Sequence, residues 1–391
     1  MIPYGRQAIS GEDIEAVEAV LRSDFLTQGP QVPKFEEALA KYTNAQYAVA
    51  TNSATSSLHI ACMALELGPG DWLWTSSISF VASSNCALYC GAQVNFVDID
   101  PRTYNLCPVA LEQKLIIAKS EGCLPKVVVP VHLCGQPCDM AAIHRLSVRY
   151  GFKIIEDASH AIGGRYQQEP IGNCRYSDIT VFSFHPVKII TTAEGGLATT
   201  NNADLASKMS LFRSHGITRD ESLMTHETDG PWYYQQVALG FNYRMTELQA
   251  ALGLSQLKRL DSFVQRRHVL AKRYDQLLAK LSLEIPWQHS DCYSALHLYV
   301  VRLKGTQLKQ RRRAAVEFLR SKGIGVNVHY IPIHTQPYYQ SLGVNYSGLK
   351  ESESYYQEAI TLPLFPSLSE ADQDYVVEVL VEALKQYGSG D

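Results

Sequence analysis

Four short apolar runs, each ending in polar residues, constrain the fold of this 391-residue chain more than any other feature. They read AQVNFVDID, KVVVPVHL, FKIIEDAS and DITVFSFH, at residues 92–100, 126–133, 152–159 and 178–185. Continuous apolar runs of this length are typical of parallel strands that are buried on both faces. Helix-like segments separate the runs, as in YAVATNSATSSLHIACMALEL, where a strand and a polar turn precede a helix. We therefore predict a doubly wound α/β sheet, with ligands beyond the carboxyl ends of its strands.

The length and the later sequence indicate two domains, because single cores rarely grow beyond about 300 residues. From Thr246 a charged amphipathic segment, TELQAALGLSQLKRLDSFVQRRHVLAKRYDQLLAKL, predicts one long helix leading away from the sheet. After it, SALHLYVVRL and IGVNVHYIPIH are interpreted as strands and SEADQDYVVEVLVEALKQY as a closing helix. We predict a large domain over residues 1–250 and a small domain over 251–391, with the N-terminal segment free to pack on the small one. Residues 11–42 are predicted to be helical, with a loop at TQGPQVP, residues 27–33.

Composition limits the function classes. A net charge of −4 argues against nucleic acid as the main partner, and no apolar stretch is long enough to span a bilayer. Nine cysteines, an odd number, favour reduced thiols, so we expect a cytoplasmic protein. Cys134 and Cys138 lie near His132 but lack the second ligand pair typical of a zinc site, so no metal is predicted.

Lys188 interrupts the apolar stretch FSFHPVKIITTAEGG, residues 182–196. A lysine in a mainly apolar site loses hydration, which lowers its pKa and makes more free amine available as a nucleophile. Asp157 closes the strand KIIED and is a carboxylate suited to hold a pyridine nitrogen protonated, as in pyridoxal phosphate chemistry. A purely structural Lys–Asp pair is an equally good interpretation of these two residues taken alone.

The stretch TNSATSSLH, residues 51–59, places hydroxyl groups where a strand turns into a helix. Backbone N–H groups and hydroxyls at a helix N-terminus suit a phosphate, although such a hydroxyl-rich cap is also common without any ligand.

EDASHA, FSFHPVKIITTAEGG and GFNYRMTELQAALG, in this order and spacing, resemble motifs of the sugar aminotransferase family named after DegT, DnrJ, EryC and StrS. The resemblance runs from IPYGRQ near the start to TLPLFPSLSE near the end. It implies the aspartate aminotransferase fold, which is fold type I of pyridoxal-phosphate enzymes. That fold has a three-layer α/β/α large domain and a smaller C-terminal α/β domain, and the implied cofactor is pyridoxal 5'-phosphate.

The resemblance also implies roles for residues around the cofactor ring. Lys188 is similar to the lysine that bonds to the cofactor and then moves a proton between cofactor and substrate. Asp157 is similar to the carboxylate facing the pyridine nitrogen, and His160 to the residue beside the phenolic oxygen. Phe80 matches the aromatic that stacks on the ring, and His185 is interpreted as a site-wall residue.

For the phosphate, the resemblance implies contacts with Ala54, Thr55 and Ser183. The family has glycine where this chain has Ala54, so either the backbone has negative φ there or the grip on the phosphate differs. Asn242 resembles an asparagine that reaches the phosphate from the neighbouring subunit, which implies a homodimer with shared active sites.

The implied reaction transfers an amino group from L-glutamate to a keto-sugar. IPYGRQ, SDFLTQGPQV and GVNVHYIPIHTQPYY particularly resemble enzymes that form UDP-4-amino-4,6-dideoxy-N-acetyl-β-L-altrosamine on the route to pseudaminic acid. The implied acceptor is a UDP-linked 2-acetamido-2,6-dideoxy sugar with a ketone at carbon 4. Its implied contacts are Tyr4, Arg6, Thr27, Gln28, His329 and Tyr330, with Arg6 or Arg244 at the diphosphate.

Three alternatives stay open. The first alternative is that the acceptor is the epimeric UDP-4-keto sugar, as in bacillosamine synthesis. It stays open because no single residue reveals the stereochemistry at carbon 5. Some relatives are dehydratases, although these replace the lysine with histidine. A cofactor-binding regulator without turnover is the third, although it has no need of the full residue set.

Overall fold

The structure, a computed structural model that describes residues 1–387, is built around a seven-stranded sheet. In chain order the strands are β1 (Ile2–Pro3), β2 (Tyr47–Thr51), β3 (Trp72–Ser76), β4 (Gln93–Val97), β5 (Val127–Val129), β6 (Lys153–Asp157), β7 (Arg165–Tyr166), β8 (Glu169–Pro170), β9 (Ile179–Ser183), β10 (Gly196–Thr200), β11 (Ile217–Thr218), β12 (Gln235–Gln236), β13 (Leu283–Glu284), β14 (Cys292–Tyr293), β15 (Tyr299–Leu303), β16 (Ile324–Gly325) and β17 (Ala359–Leu362).

The α-helices are α1 (Gly11–Leu21), α2 (Gln31–Thr43), α3 (Ala54–Ala64), α4 (Ala82–Tyr89), α5 (Pro108–Glu121), α6 (Met140–Tyr150), α7 (Ala203–Phe212), α8 (Glu247–Leu257), α9 (Leu260–Leu278), α10 (Leu308–Ser321), α11 (Pro337–Ser341), α12 (Lys350–Glu358) and α13 (Glu370–Tyr387). Short 3₁₀ turns occur at Leu133–Gly135, Glu221–Leu223 and Ile333–Thr335. Among residues 1–387, no helix is both long and apolar enough to cross a bilayer.

The central sheet has the strand order β2-β10-β9-β6-β5-β3-β4. β10 is antiparallel to both of its neighbours, and the other four pairings, from β9 to β4, are parallel. The predicted α/β sheet is confirmed, and the four apolar runs form β4, β5, β6 and β9. Because β6 and β9 are parallel neighbours, Asp157 and Ser183 at their ends lie on the same edge of the sheet.

The absence of a side chain at Gly196 allows helix α3 to lie close to this edge of the sheet. Gly196 begins β10 and pairs with Thr51 on one side and Ser183 on the other. A Cβ added to Gly196 would lie 2.4 Å from the backbone nitrogen of Ala54 and from the carbonyl of Ser53. No side chain fits in that space, so the glycine allows the N-terminus of α3 to approach the end of β9.

Two predictions about helices are wrong in detail. The loop predicted at residues 27–33 spans residues 22–30 instead, because α1 ends at Leu21 and α2 already begins at Gln31, with Pro33 in its first turn. The single helix predicted from Thr246 is divided into α8 and α9. The break lets α8 pack on α1 and α2 while α9 packs on α13, and Arg259 at the break pairs with the buried carboxylate of Asp13.

The C-terminal half contains a second, smaller sheet of antiparallel strands in the order β13-β15-β17, covered by α9, α10 and α13. The predicted strand IGVNVHYIPIH forms a regular strand only at β16, which runs parallel to β1 at the start of the chain. Beyond it Asn327 forms an isolated bridge with Thr361. The division at residue 250 stays a proposal.

Candidate active site

A cavity of about 500 Å³ opens at the carboxyl edge of the central sheet. Ten of the residues predicted to bind cofactor or substrate line it: Tyr4, Ala54, Thr55, Phe80, Asp157, His160, Ser183, Lys188, His329 and Tyr330. We call the seven that follow strands of the central sheet the sheet wall: Ala54, Thr55, Phe80, Asp157, His160, Ser183 and Lys188. We call the three that follow β1 and β16 the β1–β16 wall: Tyr4, His329 and Tyr330.

Lys188 lies in the loop between β9 and β10. The loop is closed by a hydrogen bond from the Phe184 N–H to the Gly195 carbonyl (2.9 Å), and the Lys188 N–H donates to the His185 carbonyl (2.9 Å). The side chain is partly buried, and loss of hydration lowers the pKa of Lys188 to about 8, against the opposing effect of the negative charge of Asp157. Near neutral pH, a larger fraction of Lys188 is therefore the uncharged amine, which is the nucleophilic form, than at a lysine with the ordinary pKa.

Asp157 is buried and its carboxylate is held by hydroxyl groups on both sides. Oδ2 accepts from the Ser83 hydroxyl (2.6 Å), and Oδ1 accepts from the hydroxyl (2.5 Å) and the N–H (3.1 Å) of Ser159. Ser83 also contacts the Ser79 hydroxyl (2.7 Å). Because an ionised carboxylate has about four acceptor positions, this network fixes the group and leaves capacity for a donor in the cavity.

His160 presents a fixed donor to the cavity. Its Nδ1 accepts from the Cys134 N–H (3.3 Å), and its Nε2 lies 3.2 Å from the Tyr330 hydroxyl. Burial, and then the charge of Lys188, hold the pKa of His160 well below its ordinary value. The imidazole is therefore neutral, and since Nδ1 is an acceptor, we assign the proton to Nε2.

The N-terminus of α3 lines the cavity with backbone N–H groups of the kind that bind anions. We call the part of the site formed by Ala54, Thr55 and Ser183 the anion cup. Ser53 caps the helix by accepting from the Ser56 N–H (3.2 Å), while Ala54 and Thr55 occupy the first turn, where N–H groups lack intrahelical acceptors. Ala54 has ordinary helical backbone with negative φ, so the first of the two alternatives for this position is correct and alanine causes no strain. The Ser183 hydroxyl joins the cup from β9.

The β1–β16 wall carries neutral polar groups. The Tyr4 ring lies 5.1 Å from the His329 ring, and His329 Nδ1 lies 2.8 Å from the Thr361 hydroxyl. Burial, and then the charge of Lys188, lower the pKa of His329 to about 3, so this imidazole is also neutral. Tyr330 links the two walls through His160.

Four predicted residues do not line the cavity of the single chain: Arg6, Thr27, Gln28 and Asn242. Thr27 bridges to Thr246, and the buried carboxylate of Glu247 accepts from the N–H groups of Gln31 (2.6 Å) and Val32 (3.2 Å), which fastens the loop before α2 to the start of α8. Asn242 is exposed and bridges to Ser214. Contacts of these residues with a ligand stay predictions, as does that of Arg244, which is also outside the lining.

Sequence reasoning missed three residues of the site. Ser83 and Ser159 hold Asp157, and Asn327 lines the β1–β16 side of the cavity. Ser159 had a signal, because a serine two residues after an aspartate commonly bonds to its carboxylate in a turn. Ser83 had none beyond the hydroxyl-rich stretch SSISFVASSN. His185 does line the cavity as expected, with Nε2 3.8 Å from the Glu194 carboxylate.

Comparison with known proteins gives full-length matches. The model of the DegT/DnrJ/EryC1/StrS aminotransferase family matches residues 7–381. The spore coat polysaccharide biosynthesis protein SpsC of Bacillus subtilis (strain 168) is 38% identical over 387 residues, covering 98% of this chain and 97% of that protein.

Solved structures agree over similar lengths. Helicobacter pylori PseC, an aminotransferase involved in the biosynthesis of pseudoaminic acid, has a TM-score of 0.90 at 32% identity and covers 99% of this chain and 100% of its own. Spr1654 of Streptococcus pneumoniae in its PMP form has a TM-score of 0.90 at 30% identity, with 99% and 100% covered, and a PLP form is also similar. The fold is thus that of the fold-type I pyridoxal-phosphate aminotransferases, and this chain belongs to the DegT/DnrJ/EryC1/StrS aminotransferase family.

Proposed function

We propose that this chain is a pyridoxal-phosphate-dependent aminotransferase. It moves the amino group of L-glutamate to carbon 4 of a UDP-linked 4-keto-6-deoxy-N-acetylhexosamine. The observation that carries the proposal is the meeting of Lys188, Asp157 and the N-terminus of α3 in one cavity. An amine with a lowered pKa, a fixed carboxylate and an anion cup are three requirements of this chemistry, and they come from three separate parts of the chain.

The sheet wall fits the proposed cofactor group by group. The cup at Ala54, Thr55 and Ser183 suits a phosphate, and Asp157 suits a protonated pyridine nitrogen. Phe80 is 59% exposed despite its apolar ring. This exposure is expected if the pyridine ring of the bound cofactor stacks on Phe80 and covers it. When bound, pyridoxal phosphate supplies an electron sink for the carbanion that forms at the substrate.

The chain's own residues account for binding and proton movement. Lys188 Nζ, as free amine, is the nucleophile that holds the cofactor and then the base that takes and returns a proton at the substrate carbon. Asp157 orients the ring and keeps its nitrogen protonated, since Ser83 and Ser159 hold the carboxylate in place. The protonated Nε2 of His160, which lies 3.2 Å from the Tyr330 hydroxyl, would donate to the phenolic oxygen of the bound cofactor.

The β1–β16 wall and the relatives support the choice of acceptor. Neutral polar groups on Tyr4, His329 and Tyr330 suit the hydroxyls and ketone of the sugar ring. Similarity to PseC supports the UDP-linked β-L-arabino 4-ketone, with the altrosamine derivative as product. The D-xylo epimer is the alternative, and no observation favours a dehydratase or a regulator over an enzyme that retains Lys188.

We further infer a cytoplasmic homodimer whose subunits share active sites. Large apolar side chains are exposed in the two segments that carry Thr27, Gln28 and Asn242, which supports a second copy as their cover: Phe25, Leu26, Trp232 and Leu239. All nine cysteines have free thiols, which supports a reducing compartment.

The test separates the two halves of the reaction. Protein is converted to its pyridoxamine form with L-glutamate, freed of glutamate, and mixed with each C5-epimeric UDP-4-keto sugar. Return of the visible absorbance of bound pyridoxal phosphate with the L-arabino ketone is expected, and return only with the D-xylo ketone would reassign the acceptor. Failure of glutamate to remove the absorbance would contradict the aminotransferase proposal itself. Lys208→Ala, a change at a surface lysine paired with Glu66, serves as the matched control.

A further inference from the structure

The loop that follows β3 is fastened to the segment that follows β16. The Ile333 N–H donates to the Ser77 carbonyl (2.9 Å), and His334 Nδ1 lies 2.7 Å from the Ser77 hydroxyl. Ser77 is fully buried and His334 is 7% exposed, so water competes little for this contact. The proposed function uses neither side chain.

The two neighbours of His334 determine how its ring is bonded. Nε2 lies 3.3 Å from the Glu353 carboxylate on α12, and an ionised carboxylate can only accept a hydrogen bond. Nε2 therefore carries a proton, and in the neutral imidazole Nδ1 accepts from the Ser77 hydroxyl. Because the Glu353 side chain is 58% exposed, we expect the buried contact with Ser77 to be the stronger of the two.

Tyr330 lies between two points at which this segment is attached to the rest of the protein. Before it, the His329 carbonyl accepts from the Tyr355 hydroxyl (2.7 Å) on α12, in the C-terminal half of the chain. After it, Ile333 begins the contact with Ser77. Of these two attachments, the second joins Tyr330 to the side of the cavity that carries the sheet wall.

The two sides of the Ser77 contact differ in how firmly they are held. Ser77 directly follows β3, and just beyond it the contact between the Ser79 and Ser83 hydroxyls (2.7 Å) joins the network around Asp157. The segment on the other side is a regular strand only at β16. Loss of the contact should therefore displace Tyr330 and leave the sheet wall in place.

We propose that His334 is a positioning residue for the sugar nucleotide, because its hydrogen bond with Ser77 fixes Tyr330 opposite the sheet wall. The inference rests on the proposed function, in which Tyr330 contacts the sugar. The Tyr330 hydroxyl lies 3.2 Å from His160 Nε2, so its place across the cavity is well defined. The backbone hydrogen bond from Ile333 survives a change of either side chain, so a partial loss of affinity is expected.

Two substitutions at His334 separate its two contacts. The amide of asparagine reaches about as far as Nδ1 and can keep the bond to Ser77, whereas that of glutamine reaches about as far as Nε2 and can keep only Glu353. His334→Asn should leave KM for the sugar nucleotide within about twofold, while His334→Gln and Ser77→Ala should each raise it about fivefold. Equal losses in the asparagine and glutamine variants would mean that the ring only fills space, and would overturn the proposal.

The glutamate half-reaction of the same proteins separates this inference from the proposed function. Its rate should stay within about twofold in every variant, because Lys188 and Asp157 belong to the sheet wall. No half-reaction in the unaltered protein would contradict the proposed function, whereas a normal half-reaction with an unchanged sugar KM in all variants would contradict only the role of His334. Glu353→Gln is the control and should change neither quantity.

Hydrogen exchange tests the attachment without any substrate. In cofactor-loaded protein, Ser77→Ala should speed exchange in peptides that cover residues 326–336 and leave peptides that cover residues 152–160 unchanged. Unchanged exchange over residues 326–336 would refute the positioning role. This comparison needs only the Ser77 variant, so it decides the proposal even where a change at His334 impairs folding.

Discussion

The sheet wall and the β1–β16 wall face the same cavity but are built differently. Residues of the sheet wall follow strands of one sheet, so strand register alone brings Asp157 and Ser183 to the same edge. Tyr4 and His329 are more than 300 positions apart in sequence and meet because β1 pairs with β16. In the proposed function, one sheet therefore positions the residues of the chemical step, whereas the pairing of β1 with β16 positions the residues proposed to contact the sugar.

The largest expected effect is on the rate of the glutamate half-reaction and follows from a substitution in the sheet wall, at Lys188. Lys188→Ala should lower the rate of the glutamate half-reaction by at least about 10³-fold, because both the nucleophile and the proton carrier are lost. Stopped-flow absorbance of the loaded protein measures this rate. Lys208→Ala should leave it unchanged, and substantial turnover by the alanine variant would assign the chemistry elsewhere.

The pH dependence tests the environment of the same lysine. In cofactor-free protein, the rate at which Lys188 captures pyridoxal phosphate should rise about tenfold per pH unit and level off near pH 8, the pKa of its amine. Asp157→Asn should move the midpoint lower, because the carboxylate charge raises this pKa. A midpoint near 10.5, the ordinary value, would mean that the amine is solvated.

The same shift affects stability in a defined direction. Between about pH 8 and 10.5 the unfolded chain holds a proton on this lysine that the folded chain has released. The contribution of Lys188 to the free energy of unfolding therefore rises with pH across this window, and Lys188→Met should remove that rise in denaturant titrations.

A change in the β1–β16 wall should affect the substrate and spare the first half-reaction. Tyr4→Phe removes one hydroxyl and should raise KM for the sugar nucleotide about fivefold to tenfold, the equivalent of one hydrogen bond. The glutamate half-reaction should stay within about twofold of the unaltered protein. Tyr375→Phe is the matched control, since its hydroxyl donates to the Lys322 carbonyl at the surface. Equal losses in both half-reactions would erase the distinction between the walls.

The smallest expected effect concerns the loop that carries Lys188. Ala193 has φ of +65°, in the left-handed region that favours glycine. Ala193→Gly should raise the free energy of unfolding by about 0.5–1 kcal/mol, because relief of backbone strain exceeds the added entropy of the unfolded chain. Ala110→Gly, inside α5, should lower it by about 1 kcal/mol in the same urea titration. Destabilisation at both sites would mean that the loop is unstrained.

The comparison also explains what the sequence could predict. Buried parallel strands have a continuous apolar signal, so the residues at their ends, including Asp157 and Ser183, were accessible to sequence reasoning. β10 was not predicted, because GLATT is short, contains a glycine and alternates weakly. Lys188 was found because a single charge in an apolar run is rare.

Features set by tertiary contact had no such signal. The break between α8 and α9 lies inside a continuous amphipathic pattern and follows from packing on two different partners. The strand predicted at residues 324–334 is mostly unpaired, because its polar and aromatic side chains line the cavity instead of a sheet. Ser83 reaches Asp157 across 74 positions of sequence, a distance that local patterns do not encode.

Reductive trapping of the cofactor tests the central claim most directly. Purified protein is loaded with pyridoxal phosphate, reduced with borohydride to fix the cofactor on the amine that holds it, digested and mapped by mass spectrometry. The account predicts the phosphopyridoxyl group on Lys188 and its loss in Lys188→Ala. A label on another lysine, or no label in a protein that binds the cofactor, would contradict it.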